Sequence, residues 1–248
     1  MKLLKKMLFA VPVTLAVMGA AAAGAHAAGS LNDVVTTLFG EDTATVDIVI
    51  LLTILTLLPS ILIMLTSFTR TIIVLSFLRN ATGMQQTPPN QVLIGLALFL
   101  TLAVMGPVLT DIYDNAYVPY TREENPISQD EFIDRAIVPL KDFMLGQTTT
   151  KDLDFMLGLT GETVETPEDT PMRILIPAFL LSEIKHAFTI GFLIYIPFIV
   201  IDMVVSSTLM AMGMMMLPPA MISLPFKILI FVLVDGWQLV VGTIFRSF

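Results

Sequence analysis

The chain has 248 residues, 55% of them hydrophobic and 14% charged, with a mean hydropathy of +0.84. A soluble domain is less apolar and about a quarter charged, so the chain is read as an all-α integral membrane protein. Cys is absent, only His26 and His186 supply imidazoles, and the net charge is −8. Disulfides, thiolate chemistry and a multi-histidine metal site are thereby excluded, and nucleic acid is not expected as a partner.

Residues 1–27 read as a secretory signal peptide: Lys2, Lys5 and Lys6 lead, Leu8 to Gly19 form the apolar core, and Ala25-His26-Ala27 is the cleavage site. The alternative is an uncleaved first membrane helix. Cleavage removes three Lys and no acid, so the mature charge becomes −11. Residues 28–47 are a short polar lead with no assigned function.

Residues 48–110 are expected to form a first helical hairpin. Ile48–Leu65 has the length of one span, with Pro59 expected to kink or break it. Arg70 and Arg79 are the only charges from Ile48 to Thr110, which places the connection 66–91 on the cytoplasmic side. Thr87-Pro88-Pro89-Asn90 marks a turn, and Val92–Leu109, interrupted by Gly106-Pro107, returns the chain outward.

Residues 111–170 form a polar insert, and positions 111–185 hold fifteen acids and six bases. After a bacterial-type signal peptide, an acidic segment of this size belongs outside the cytoplasm. Ser128 and Glu131 make a capping box, followed at helical spacing by Phe132, Ala136, Ile137, Leu140, Phe143 and Met144. That predicts one short amphipathic helix, limited by Pro139. The acids read as a solvated face.

Residues 171–248 are expected to form a second hairpin. Thr170 caps it, with Pro171 as its first helical residue. The apolar run from Met172 to Leu217 is too long for one span, and Pro177 and Pro197 are expected to cut it. Ile222–Phe245 is the last run. Between them lies a Met-rich loop, 209–219, with Met210, Met212, Met214, Met215 and Met216 ahead of Pro218-Pro219. Met content alone favours simple gap filling.

Glu183, Lys185, Asp202, Lys227 and Asp235 lie inside apolar runs, where an ionisable group is costly unless paired or facing a cavity. Glu183 and Lys185 are two positions apart, so on one helix they face nearly opposite ways and each needs a partner elsewhere. In a simple hairpin Asp202 and Lys227 fall at similar depth, whereas Glu183 lies near the opposite end. Asp202 and Asp235 could suggest an aspartyl intramembrane protease, but no Gly-x-Gly-Asp occurs. Metalloprotease and nucleotide-binding motifs are also absent. No enzyme activity and no cofactor are expected.

Three blocks resemble the FliP family of type III export-gate proteins. They are RTIIVLSFLRNATGMQQTPPNQVLIGLALFLT at 70–101, PAFLLSEIKHAFTIGFLIYIPFIVIDMVVSSTLMAMGMMMLPP at 177–219, and ISLPFKILIFVLVDGWQLV at 222–240. Thr82 departs from the Leu of the family's Arg-Asn-Ala-Leu-Gly pattern, a mild change in a turn.

The resemblance implies a pore subunit of the flagellar protein-export gate in the bacterial inner membrane, displaced toward the periplasm at the flagellar basal body. It implies a staggered ring of several copies of the chain with FliQ and FliR, joined by FlhA and FlhB. Exported flagellar proteins would pass through unfolded, with Met214, Met215 and Met216 at the narrowest point. A staggered ring weakens a four-span topology and brings back Glu183–Lys227 as a contact between subunits. The competing reading is a small-solute transporter or ion channel that uses the intramembrane charges for coupling.

Overall fold

The computed structural model describes residues 45–84, 87–122, 124–214 and 217–248. The expected signal peptide, most of the polar lead, Met215 and Met216 lie outside the described residues. The chain divides into two units, 1–59 and 60–248. Of the first, the described part is the beginning of helix α1 (Thr45–Leu65). Leu52 and Leu57 are exposed there.

The second unit contains helices and no strand among its described residues. After the end of α1 come α2 (Phe68–Ala81), α3 (Asn90–Val104) and α4 (Gly106–Tyr120, with a π-helical turn at Tyr113–Tyr117). Next are α5 (Gln129–Gln147), α6 (Thr150–Thr160), α7 (Met172–Ala211), α8 (Pro219–Leu233) and α9 (Gly236–Arg246). Among the described residues only α7 is long and apolar enough to cross a membrane alone. Three bent pairs qualify if each counts as one span: the end of α1 with α2, α3 with α4, and α8 with α9.

Pro177 and Pro197 do not cut the long apolar run, contrary to expectation: both sit inside the continuous 40-residue α7. A proline removes one N–H and crowds the carbonyl four residues back, a local cost borne while Ala178 and Phe179 beside Pro177, and Phe198 beside Pro197, are held in core clusters. At 1.5 Å per residue α7 is about 60 Å long, twice a hydrocarbon core of about 30 Å. Its two halves have different surroundings. Leu175, Ala178 and Phe179 in the N-terminal half pack with Met144 of α5 and Leu153 of α6. In the C-terminal half Phe192, Leu193, Met203 and Val204 are exposed.

The real breaks fall elsewhere. The axis turns by 86° between the end of α1 and α2, by 57° between α3 and α4, and by 66° between α8 and α9. At the first, hydroxyls take up freed carbonyls: Thr66 donates to Leu62, and Thr69 Oγ1 donates to Ile63 at 2.7 Å. Pro59 lies inside α1 and Pro225 inside α8, whereas Pro107 occupies the first turn of α4. At the third break Asp235 adopts φ +51°. The next residue must be small, because a Cβ on Gly236 would stand 2.2 Å from the Phe231 ring.

A second core cluster joins Val74, Leu75 and Leu78 of α2 to Leu93 and Ala97 of α3, Ala187 and Phe198 of α7, Phe231 of α8, and Val240 and Ile244 of α9. Thr82 is fully buried at the end of α2, and its hydroxyl donates to Leu78 O at 3.0 Å and Arg79 O at 2.9 Å. A leucine there could not cap those carbonyls.

After the end of α4, the described residues of the insert hold two α-helices where one was expected, and a 3-10 turn at Pro167–Asp169. In α5, Ser128 Oγ accepts from Glu131 N at 3.2 Å, and Pro139 sits inside a 19-residue helix. The unforeseen helix, α6, starts with Thr149 Oγ1 accepting from Asp152 N at 3.3 Å and ends at Gly161, φ +69°. One residue later than expected, α7 begins with Pro171 as its cap, its carbonyl accepting from Ile174 N at 2.9 Å. The Thr170 hydroxyl is buried with no partner among the described residues.

Candidate functional site

The turn between α7 and α8 is built by its one glycine. Helix α7 ends at Ala211, and Gly213 takes φ +73°, a conformation that side chains disfavour. Gly213 N then donates to Met210 O and Met214 N to Leu209 O, each at 3.0 Å. This closes the helix end and turns the chain toward Pro218-Pro219. The methionines around it are exposed in the single chain: Met210 is 59% exposed, Met212 67% and Met214 39%. The described part of the turn is thus surface in the single chain, formed of flexible apolar side chains.

Close by, the turn after α2 faces the start of α8 across a groove of about 710 Å³. Asn80, Met84, Thr87, Met221, Leu224 and Lys227 are among its lining residues. Lys227 Nζ donates to Asp202 Oδ2 at 2.6 Å, and Ser223 Oγ donates to the other oxygen, Oδ1, at 2.6 Å. Lys227 is nearly buried, whereas the Asp202 side chain is 40% exposed. Of the two acids considered for Lys227, Asp202 is the one in reach within the chain.

Glu183 is engaged elsewhere. Arg70 Nε donates to Glu183 Oε2 at 3.0 Å, and Nη2 donates to Oε1. The two side chains are 1% and 0% exposed. The guanidinium also donates to Gln147 Oε1 at 3.0 Å and meets His186 Nδ1 at 3.1 Å. It further donates to the Ser247 carbonyl and lies 3.9 Å from the Phe248 ring centroid. Gln147 Nε2 in turn donates to Phe248 O at 3.1 Å. A planar five-donor group with two fixed carboxylate oxygens is thus saturated at the junction of α2, α5, α7 and the segment after α9.

Lys185, on another face of α7, donates to Asp152 Oδ1. Ser182 Oγ and Thr149 Oγ1 donate to Asp152 Oδ2 at 2.7 Å and 2.8 Å. Burial works against a charge on Asp152. The hydrogen bonds from Lys185, Ser182 and Thr149, with the Lys185 charge, outweigh it and hold the carboxyl below its usual range. Asp235 stands apart: it is exposed at the α8–α9 bend and makes no ion pair among the described residues.

Sequence reasoning missed Arg70, Asp152, Ser182 and Gln147 as partners. Only Asp152 carried a usable signal, the Thr149-x-x-Asp152 capping pattern beside an apolar run.

Comparison with known proteins gives a match to the FliP family model over residues 51–244. The flagellar biosynthetic protein FliP of Pectobacterium carotovorum subsp. carotovorum is 55% identical over 207 residues, covering 83% of this chain and 80% of that protein. Its namesake in Bacillus subtilis (strain 168) is 53% identical over 206 residues, 83% of this chain and 92% of the relative. The Caulobacter vibrioides protein of the same name is 49% identical over 227 residues, 91% of this chain and 85% of that one. The chain belongs to the FliP family.

Proposed function

We propose that this chain is a non-enzymatic, pore-forming subunit of the flagellar protein-export gate in the bacterial inner membrane, and that its Met-rich turn seals the passage. The observation that carries the reading is the family match over residues 51–244, which takes in that turn. The exposure of Met210, Met212 and Met214 supports it. A seal must close around chains of many shapes and still exclude ions. Methionine has three rotatable bonds and a polarizable thioether, so it repacks without a strong hydrogen bond that would hold a polar passenger.

In this reading residues 1–27 are the cleaved signal peptide, and 48–110 and 171–248 are the two hairpins. The acidic insert, 111–170, faces the periplasm. Several copies assemble with FliQ and FliR in a staggered ring, which FlhA and FlhB join. Unfolded flagellar subunits are the passengers. The length of α7, about twice a bilayer core, suits a subunit raised toward the periplasm and covered by protein over half its length. The exposed apolar face of its other half is then shared between lipid and neighbouring subunits.

A second reading, a small-solute transporter or channel, draws on the half-exposed Asp202 beside the groove. Gentle detergent extraction from cells making a tagged chain separates the two. A ring containing two other small membrane proteins supports the gate. A self-sufficient monomer or dimer that moves solute in vesicles overturns it.

A further inference from the structure

His186 sits against a neighbour that can only donate. Arg70 Nη2 lies 3.1 Å from His186 Nδ1. A guanidinium has only donors, so the contact favours a neutral ring that turns the Nδ1 lone pair toward Arg70 and carries its proton on Nε2; Nη2 also donates to Glu183 Oε1 and Gln147 Oε1 and reaches Nδ1 through a shared N–H. The charged neighbours balance without it. Arg70 on α2 is matched by Glu183 on α7, and Lys185 on α7 is matched by Asp152 on α6.

The nearby acceptors are also committed. Both Glu183 oxygens hold Arg70, both Asp152 oxygens are occupied by Lys185, Ser182 and Thr149, and Gln147 Oε1 accepts from Arg70. A protonated His186 would bring an N–H and a positive charge against a guanidinium.

We propose that His186 is a proton-operated latch: neutral, it holds Arg70 in place; protonated, it releases Arg70 and loosens the junction that joins the insert to α2 and α7. Half-buried, the ring has access to protons. An imidazole is the side chain whose ordinary titration falls between pH 5 and 8. The folded protein must give up the Arg70 hydrogen bond to take the proton, so the junction weakens as pH falls through that range. In the topology proposed above the latch reads the periplasmic side. Its operation depends only on the contacts at the junction.

The test uses the full chain, purified through a tag without histidine and carrying His26→Gln, so that His186 is the only imidazole. Nitrogen-15 histidine spectra at about pH 8 are expected to show a bare Nδ1 and a protonated Nε2. A proton on Nδ1 at that pH overturns the proposal. Thermal unfolding is then compared with His186→Asn, whose Oδ1 can accept from Arg70 without titrating. Between about pH 8 and 5.5 the parent is expected to lose about 3 °C more in Tm than the variant. His186→Lys, with a permanent charge, is expected to be low at both pH values. Parallel pH profiles for the parent and His186→Asn also overturn the latch.

Discussion

Arg70 and Glu183 are 113 residues apart in sequence and meet as a two-pronged ion pair with both side chains buried. The pair explains why each charge is tolerated in an apolar run. Neither is stranded, and every donor direction of the guanidinium that faces protein has an acceptor or a ring. Its removal is correspondingly costly. Arg70→Ala or Glu183→Gln leaves a buried partner uncompensated, at roughly 3–5 kcal/mol. Arg70→Lys is expected to recover little, because a single ammonium cannot span both oxygens, Gln147 and the Ser247 carbonyl together. Thermal unfolding in detergent and the steady-state amount in membranes measure both. A lysine variant as stable as the parent would count against the fork.

For Lys227 the geometry names the partner. Lys227→Glu places a second acid against Asp202 and is expected to abolish assembly of the complex on native gels. Adding Asp202→Lys restores the opposite charges at the 2.6 Å contact and is expected to restore assembly. Adding Glu183→Lys is expected to make matters worse, because it opposes Arg70. Rescue by Glu183→Lys instead would identify a contact between subunits in place of the one within the chain.

Acid acts on the insert through Asp152. Its carboxyl lies below the usual range, so the stability it adds is in place at neutral pH and is lost as pH falls below about 4. Asp152→Asn is expected to cost about 1–2 kcal/mol at pH 7, the more exposed Lys185 being partly screened. The parent and variant should converge in acid. A gap that persists at about pH 3 would show that the loss is one of packing and not of charge.

The apolar runs, the Met-rich turn and the fact that Glu183 and Lys185 need separate partners are all legible in the sequence, since each follows from composition or helical spacing. The partner of Glu183 is not. Arg70 belongs to another helix, and no local pattern encodes a contact over 113 residues. Helix breaks are misread for a related reason. Proline marks a local cost, but whether a helix ends there depends on tertiary packing, which carries α7 through Pro177 and Pro197. Bends come instead at Thr66–Ser67, at Met105 and at Asp235, where hydroxyls, a following Gly-Pro or a left-handed residue let the axis turn. Met215 and Met216, the centre of the expected seal, lie outside the described residues, and the surface character of the turn rests on Met210, Met212 and Met214.

The methionines of this turn are proposed to close a pore. The direct measurement is ion conductance of the assembled complex in a planar bilayer, parent against Met214→Ala, Met215→Ala and Met216→Ala combined. Shorter side chains leave a wider constriction that admits water, so a higher resting conductance is expected in the triple variant with assembly intact. Conductance unchanged from the parent, in a complex of unaltered composition, would contradict it.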